Sequence, residues 1–283
     1  MNLQWYPGHM TKAKRMMMED IKLIDLVMEI VDARIPMSIR NPDIDELAKG
    51  KSRMILLNKT DLADDRSTRE WEEYFRKKGF TVVCLDCRQR KGINQIQNAI
   101  EVACHDKIER DRKRGIKNRP VRTMVVGIPN VGKSTFINAL CKRACAKTGD
   151  KPGVTKGKQW VKLNKNVELL DTPGILWPKF DNEQIGKNLA FIGSINDAII
   201  DTQELSMLLI STVIEKRKGC INERYGISED GKTLDILTEI GKVRGCLIKG
   251  GEIDVQKAAD IFLDDFRAGK LGKITLEYSS DYE

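Results

Sequence analysis

The residues Gly127-Ile128-Pro129-Asn130-Val131-Gly132-Lys133-Ser134 carry glycine, lysine and hydroxyl side chains at the spacing G-x-x-x-x-G-K-S, and that spacing suits phosphate. The glycines let the chain turn tightly, so backbone N–H groups of Asn130, Val131, Gly132, Lys133, Ser134 and Thr135 can wrap the phosphates. The Lys133 ammonium would neutralise β and γ oxygens, and the Ser134 hydroxyl would bind Mg²⁺. A second group, Asn58-Lys59-Thr60-Asp61, suits a purine base. The Asp61 carboxylate can accept from both the N1–H and the exocyclic amine of guanine. Adenine offers no such donor pair, and an unmatched buried polar group makes the discrimination steep. Asp61 therefore points to GTP and GDP and argues against a P-loop ATPase or kinase. Asn58 would hold neighbouring strands and approach the base, while the stem of Lys59 would cover its face.

The remaining candidates lie on either side of these two groups. Leu85-Asp86-Cys87-Arg88 occupies the place of a second base loop, with Asp86 and Cys87 as its contacts. A Ser-Ala-Lys type sequence is usual there, and Cys87 departs from it. Asp171-Thr172-Pro173-Gly174 follows an apolar strand. The Asp171 carboxylate can hold Mg²⁺ through water and the Gly174 N–H can reach the γ-phosphate; a plain Pro-Gly turn is the other reading. Thr155, in Pro152-Gly153-Val154-Thr155, falls between the phosphate loop and that box. It is the candidate for sensing γ-phosphate and completes a metal set with Ser134 and Asp171. Ile175 stands where Ras-like enzymes place a water-orienting glutamine, so intrinsic hydrolysis is expected to be slow. Of the two histidines, His9 lies in a Pro-Gly-containing turn. Its imidazole either orients the attacking water or packs or contacts RNA. His105, beside Cys104, reads as structural or solvated.

These groups need elements to position them. Apolar strands are expected at residues 26–31, 54–57, 81–85 and 121–126, with helices at 11–23, 67–78, 92–108 and 134–140 between or around them. Thr11 is a candidate N-cap and Gly79 a helix stop. Residues 159–163 and 167–170 read as a hairpin around Asn164-Lys165-Asn166. Strands alternating with helices imply an α/β fold with a mainly parallel sheet and helices on both faces. After Trp177-Pro178 the pattern turns helical, at 184–192, 204–217, 233–240 and 254–268. In the last of these Val255, Ala259, Phe262 and Phe266 recur at helical spacing, Asp254 can cap the start and Gly269 the end. This divides the chain into a nucleotide-binding domain, residues 1–180, and a small helical domain, residues 181–283.

The order of the boxes is unusual. In an ordinary GTPase the phosphate loop comes first and the base box last; here Asn58-Lys59-Thr60-Asp61 precedes the phosphate loop. That is a circularly permuted P-loop GTPase fold. It moves the switch segments to the end of the domain, where they join whatever follows. With Trp5-Tyr6-Pro7-Gly8-His9-Met10 and Val31-Asp32-Ala33-Arg34-Ile35-Pro36, the chain resembles the YlqF/RbgA-type permuted GTPases, the ribosome biogenesis GTPase A family. The resemblance covers about the first two-thirds of the chain. It implies a bacterial factor acting late in assembly of the large (50S) ribosomal subunit, with the precursor particle and its rRNA as partners. Asn130 resembles the asparagine that supports a potassium ion in cation-activated GTPases, which adds K⁺ to GTP, GDP and Mg²⁺ as a cofactor. A binding module that grips a protein partner through the helical domain, with hydrolysis incidental, is the competing function.

Composition sets outer limits. The chain has 283 residues, 41% of them hydrophobic, and no apolar run approaches the roughly 18 residues of a membrane span. The first ten residues lack a secretory signal pattern. Seven scattered cysteines fit a reducing cytosol. Cys84 and Cys87 form one C-x-x-C, but a zinc site needs a second pair and the later cysteines supply none. These features suit a cytoplasmic monomer that contacts no membrane. The net charge of +8 favours a polyanionic partner. Lys107, Arg110, Arg112, Lys113, Arg114, Lys117, Arg119 and Arg122 cluster in one stretch interrupted by Glu109 and Asp111. It is either a nucleic-acid contact or a solvated helix with local ion pairs.

Overall fold

The computed structural model describes residues 15, 17–116, 119–141, 159–171 and 182–282, with the side chains of Gln159 and Asp171 left aside. His9, Thr155, Gly174, Ile175, Lys117 and the Thr11 cap lie outside the described residues. Six strands form one sheet: β1 (Leu26–Asp32), β2 (Ser52–Asn58), β3 (Thr81–Cys84), β4 (Val121–Val126), β5 (Gln159–Lys162) and β6 (Val167–Asp171). Their order is β3-β2-β1-β4-β6-β5. Neighbours are parallel except for β5 and β6, the expected hairpin. β1 is buried along its whole length, as a central parallel strand covered on both faces should be. Alternate residues serve opposite layers. Leu26, Met28 and Ile30 join the larger core, while Val27, Met124, Val126 and Leu170 face a second one with Ile21, Ile24 and Ile44.

Register brings the strand ends together. Asp32 is level with Asn58, Leu57 with Cys84, and Val125 with Asp171. The chain runs outward from β1 to β2 and β3, then returns to the other side of β1 as β4. The carboxyl ends of β1 and β4 therefore flank a topological switch point, where open α/β sheets bind ligands.

Helices α1 (Asp43–Leu47), α2 (Asp65–Lys77), α3 (Ile96–Ala103), α4 (His105–Lys113) and α5 (Lys133–Cys141) belong to this part. α2 starts two residues before its expected place because Asp64 caps it, accepting from the N–H groups of Arg66 and Ser67. The single helix expected at 92–108 is two. Cys104 bends the backbone (φ −108°, ψ 14°) between α3 and α4, although the hydrogen bonds Cys104 N to Ile100 O and Ile108 N to Cys104 O carry on across it. The basic stretch is largely occupied with neighbours. Lys107 pairs with Asp25 and Asp111 at 3.3 Å, and Arg112 with Glu109 at 2.7 Å. Arg122 lies on β4, pairs with Glu168 and stacks over Trp160.

The helices expected after residue 180 appear as α6 (Glu183–Phe191), α7 (Thr202–Lys216), α9 (Thr233–Val243) and α10 (Val255–Arg267). Asp254 caps α10 through the Lys257 N–H. Between α7 and α9 a six-residue helix, α8 (Cys220–Tyr225), is set off by Gly219 and Gly226, both at positive φ. Leu209, Ile210, Val213, Leu237, Ile240 and Phe262 are buried in one core that also includes residues of the sheet. The chain end then returns to the sheet. Ile274 N donates to Leu62 O and Leu276 N to Arg34 O. The Glu277 carboxylate accepts from the Met37 and Ser38 N–H groups and from Asn188 Nδ2. Among the described residues no helix is long and apolar enough to cross a membrane.

Candidate functional site

The phosphate loop leaves β4 at Val126 and enters α5 at Lys133. Asn130 (φ +62°) and Gly132 (φ +95°) take left-handed backbone conformations within it. Gly132 is required for space as well as for φ: a Cβ there would lie 2.5 Å from Asn58 Nδ2. The Phe136 N–H donates to Gly132 O at 2.8 Å, so α5 opens directly from the loop with its amino end facing the crevice. A helix amino end carries a partial positive charge that favours anions. Lys133 is buried, and Ser134 and Thr135 sit half-buried in the first turn. The strand, the tight turn and the helix that the phosphate-binding reading requires are thus all present around these residues.

Asn58 joins the base box to this loop. Its Nδ2 donates to Val131 O at 2.9 Å and its Oδ1 accepts from the Cys87 N–H at 3.3 Å. Asn58 was expected to hold neighbouring strands; its side chain instead ties together two loops, those of Val131 and Cys87. Lys59 (φ +60°) reaches back, its Nζ 2.9 Å from Asn130 O and 3.0 Å from Asp32 Oδ2. Thr60 fixes the other side, donating from both its N–H and its hydroxyl to Leu85 O. Cys87 contributes its backbone. Burial, then the neighbouring Asp86 and Asp61 carboxylates, pushes its thiol up to about 12. Burial does the same to Cys84, also to about 12. Both are neutral thiols.

Asp61 and Asp86 give the base pocket its electrostatic character. Asp61 is half-buried, and burial together with the Asp86 carboxylate raises its carboxyl above the ordinary value. Asp86 Oδ1 accepts from the Gln89 N–H, whereas its buried Oδ2 has no partner. An acceptor-rich wall of this kind complements an edge that presents donors, as guanine does through N1–H and its amine. The residues present thus fit a guanine nucleotide: a donor-lined turn for phosphate and an acceptor-lined wall for the base. Of the metal set, Ser134 stands at the first turn of α5, and the backbone of Asp171 ends β6 beside Val125.

Three contacts at this site were not legible in the sequence. Asn130 Nδ2 donates to Gly193 O at 2.6 Å, and the Ser194 hydroxyl donates to Pro129 O at 3.0 Å. Gly193 (φ +74°) turns the chain at the end of α6. Arg267 of α10 holds that turn, donating to Phe191 O and Ala190 O while pairing with Asp197 at 2.6 and 2.8 Å. The third contact is the Asp32–Arg34 pair below Lys59. A glycine after an apolar helix was a visible C-cap signal; its contact with a loop more than sixty residues away had none.

A family described as "50S ribosome-binding GTPase" matches residues 122–237. The match begins at β4 and leaves the base box outside, as the reversed order requires. Across its whole length the chain is 45% identical to a Bacillus cereus protein named "Ribosome biogenesis GTPase A", covering 96% of that protein. Two solved structures are similar. GDP-bound TM YlqF has a TM-score of 0.69 at 26% identity, over 94% of this chain and 100% of the other. GNP-bound YlqF from T. maritima has a TM-score of 0.67 at 29% identity, over 94% and 98%.

Proposed function

The chain belongs to the ribosome biogenesis GTPase A family, is a GTP hydrolase, and acts in ribosome biogenesis; from that premise we propose that it serves as a switch in late assembly of the large (50S) subunit, binding rRNA in the precursor particle. The observation that supports this reading best is Asn58, whose carboxamide ties the phosphate loop to the second base loop and so makes one pocket of boxes whose chain order is reversed. In that pocket the phosphate-loop N–H groups bind the phosphates and Lys133 offsets their charge. Ser134, with Thr155 and Asp171, would hold Mg²⁺, which when bound neutralises charge on the β and γ oxygens. Asp61 selects guanine. Gly174 reaches the γ-phosphate, and His9 orients water in place of the absent glutamine. Asn130 supports K⁺. Residues 181–283 form the surface for the subunit, and the protein works as a cytoplasmic monomer.

Co-sedimentation with large-subunit precursors in GDP, GTP and a non-hydrolysable GTP analogue tests the proposal. Retention with the analogue and release with GDP is the expected result. Equal retention in all three states would make the protein a binding module whose hydrolysis is incidental. A steep fall of binding with salt is expected for an rRNA contact.

A further inference from the structure

Val31-Asp32-Ala33-Arg34-Ile35-Pro36 has no part in the nucleotide chemistry above, yet it holds two sealed charges. Asp32 is 0% and Arg34 1% exposed. Buried charges persist only when paired and hydrogen-bonded. Arg34 grips Asp32 as a fork, Nε to Oδ1 at 2.9 Å and Nη2 to Oδ2 at 2.8 Å, and its own N–H donates to Oδ1 at 3.1 Å. The Phe266 ring covers the guanidinium at 5.3 Å, and Leu276 N caps Arg34 O. Burial alone would raise the Asp32 carboxyl; Arg34 and Lys59 more than offset it and hold it well below the usual carboxylate range.

A structural ion pair would be complete with Arg34. The carboxylate nevertheless takes a further donor, Lys59 Nζ at 3.0 Å, and the same ammonium donates to Asn130 O at 2.9 Å. Lys59 is the residue whose stem the proposed function sets against the base, and its side chain stays 22% exposed. A lysine has four rotatable bonds and a point charge; two fixed acceptors remove most of that freedom before a nucleotide arrives, which is preorganisation. In a site screened from water the charge attraction is strengthened.

We propose that Asp32 is a positioning residue for guanine-nucleotide binding: held by Arg34, it anchors the Lys59 ammonium to the floor of the pocket so that the lysine stem lies ready against the base. The inference rests on the GTP-binding function above. The test is the dissociation rate of fluorescent mant-GDP from the full chain with Mg²⁺. Asp32→Asn keeps the shape but removes the charge, and is expected to speed release by about tenfold, the scale of a lost charged hydrogen bond. Lys59→Ala is expected to do the same, and the double variant no more than Lys59→Ala alone, because both remove one interaction. If Asp32→Asn does not fold by circular dichroism, Arg34→Lys replaces it. A single ammonium cannot hold both carboxylate oxygens, so release is expected to quicken roughly threefold, again only while Lys59 is present. Unchanged release, or effects that multiply with Lys59→Ala, overturns the positioning role. A parent chain that binds no mant-GDP overturns the nucleotide reading itself, and this inference with it.

Discussion

Ser194→Ala isolates the contact between the helical part and the phosphate loop. The hydroxyl is fully buried and donates to Pro129 O at 3.0 Å, so alanine removes a neutral hydrogen bond and adds no bulk. Losing such a bond, with the carbonyl deprived of that donor, costs about 1–2 kcal/mol. The neighbouring Asn130 Nδ2 to Gly193 O bond, 2.6 Å, keeps the turn in place, so the variant folds. The decisive quantity is where the loss appears. If the loop keeps its shape without nucleotide, all of it falls on global stability. If nucleotide is what fixes the loop, part of it appears in affinity, where 1.4 kcal/mol is about tenfold. A threefold to tenfold rise in the mant-GDP dissociation constant is expected, on the order of 0.7–1.4 kcal/mol, together with a smaller shift of Tm by GDP. A lower Tm with unchanged affinity would refute the reasoning and leave Ser194 as scaffold alone.

Asp61→Asn replaces an acceptor with a group that presents a donor to the guanine amine; GTP binding is expected to weaken by about 1–3 kcal/mol and xanthosine nucleotides to bind in its place, and a competition titration decides. Burial and Asp86 raise the Asp61 carboxyl, and base recognition needs it ionised. GDP affinity should therefore fall as pH drops, beginning at a higher pH than an isolated aspartate would require, and Asp86→Asn should move the fall to lower pH in a mant-GDP titration. Potassium is expected to raise the GTPase rate above that in sodium at equal ionic strength, and Asn130→Asp to narrow the ratio; equal rates in the parent would remove K⁺ from the mechanism. With precursor subunits, hydrolysis should quicken at least about tenfold, or 1.4 kcal/mol of barrier, and His9→Ala should keep subunit binding but lose most of that stimulation.

How much was readable depended on the range over which each residue acts. The Asp254 cap acts on backbone within a few residues, and its type and spacing report that directly. Asp64 acts the same way, but the helix was expected to start at residue 67 and its cap went unread. The sheet was readable because apolar runs such as Met54-Ile55-Leu56-Leu57 form strands wherever both faces are covered. Cys104 was not, since an apolar residue at a bend keeps the helical spacing on either side and only backbone angles reveal the change. α8 escaped for lack of length: six residues cannot establish a period. Asp32 and Arg34 were visible as part of a motif, but nothing in the motif showed that they are buried. Their burial depends on Phe266 and Leu276, more than two hundred residues away. Asp86 follows the end of β3, which only the sheet register sets beside the end of β2 and Asn58, and its effect on Asp61 likewise required the fold.

The reversed chain order has a physical consequence beyond topology. Because the sheet's last strand leads into α6, the turn that ends α6 can return to the phosphate loop through Gly193 and Ser194. The chain end returns too, through Leu276 and Phe266, to the pair that anchors Lys59. The C-terminal residues thus touch both the phosphate loop and the Asp32–Arg34 pair behind Lys59. Two-point contact of this kind makes docking of the helices and ordering of the pocket parts of one equilibrium. Any partner that binds those helices better in the docked arrangement must then tighten nucleotide binding, and nucleotide must tighten the partner by the same factor. Loosening one contact, as in Ser194→Ala, should shrink both factors together, whereas a partner acting only on the switch segments would leave that variant's coupling intact.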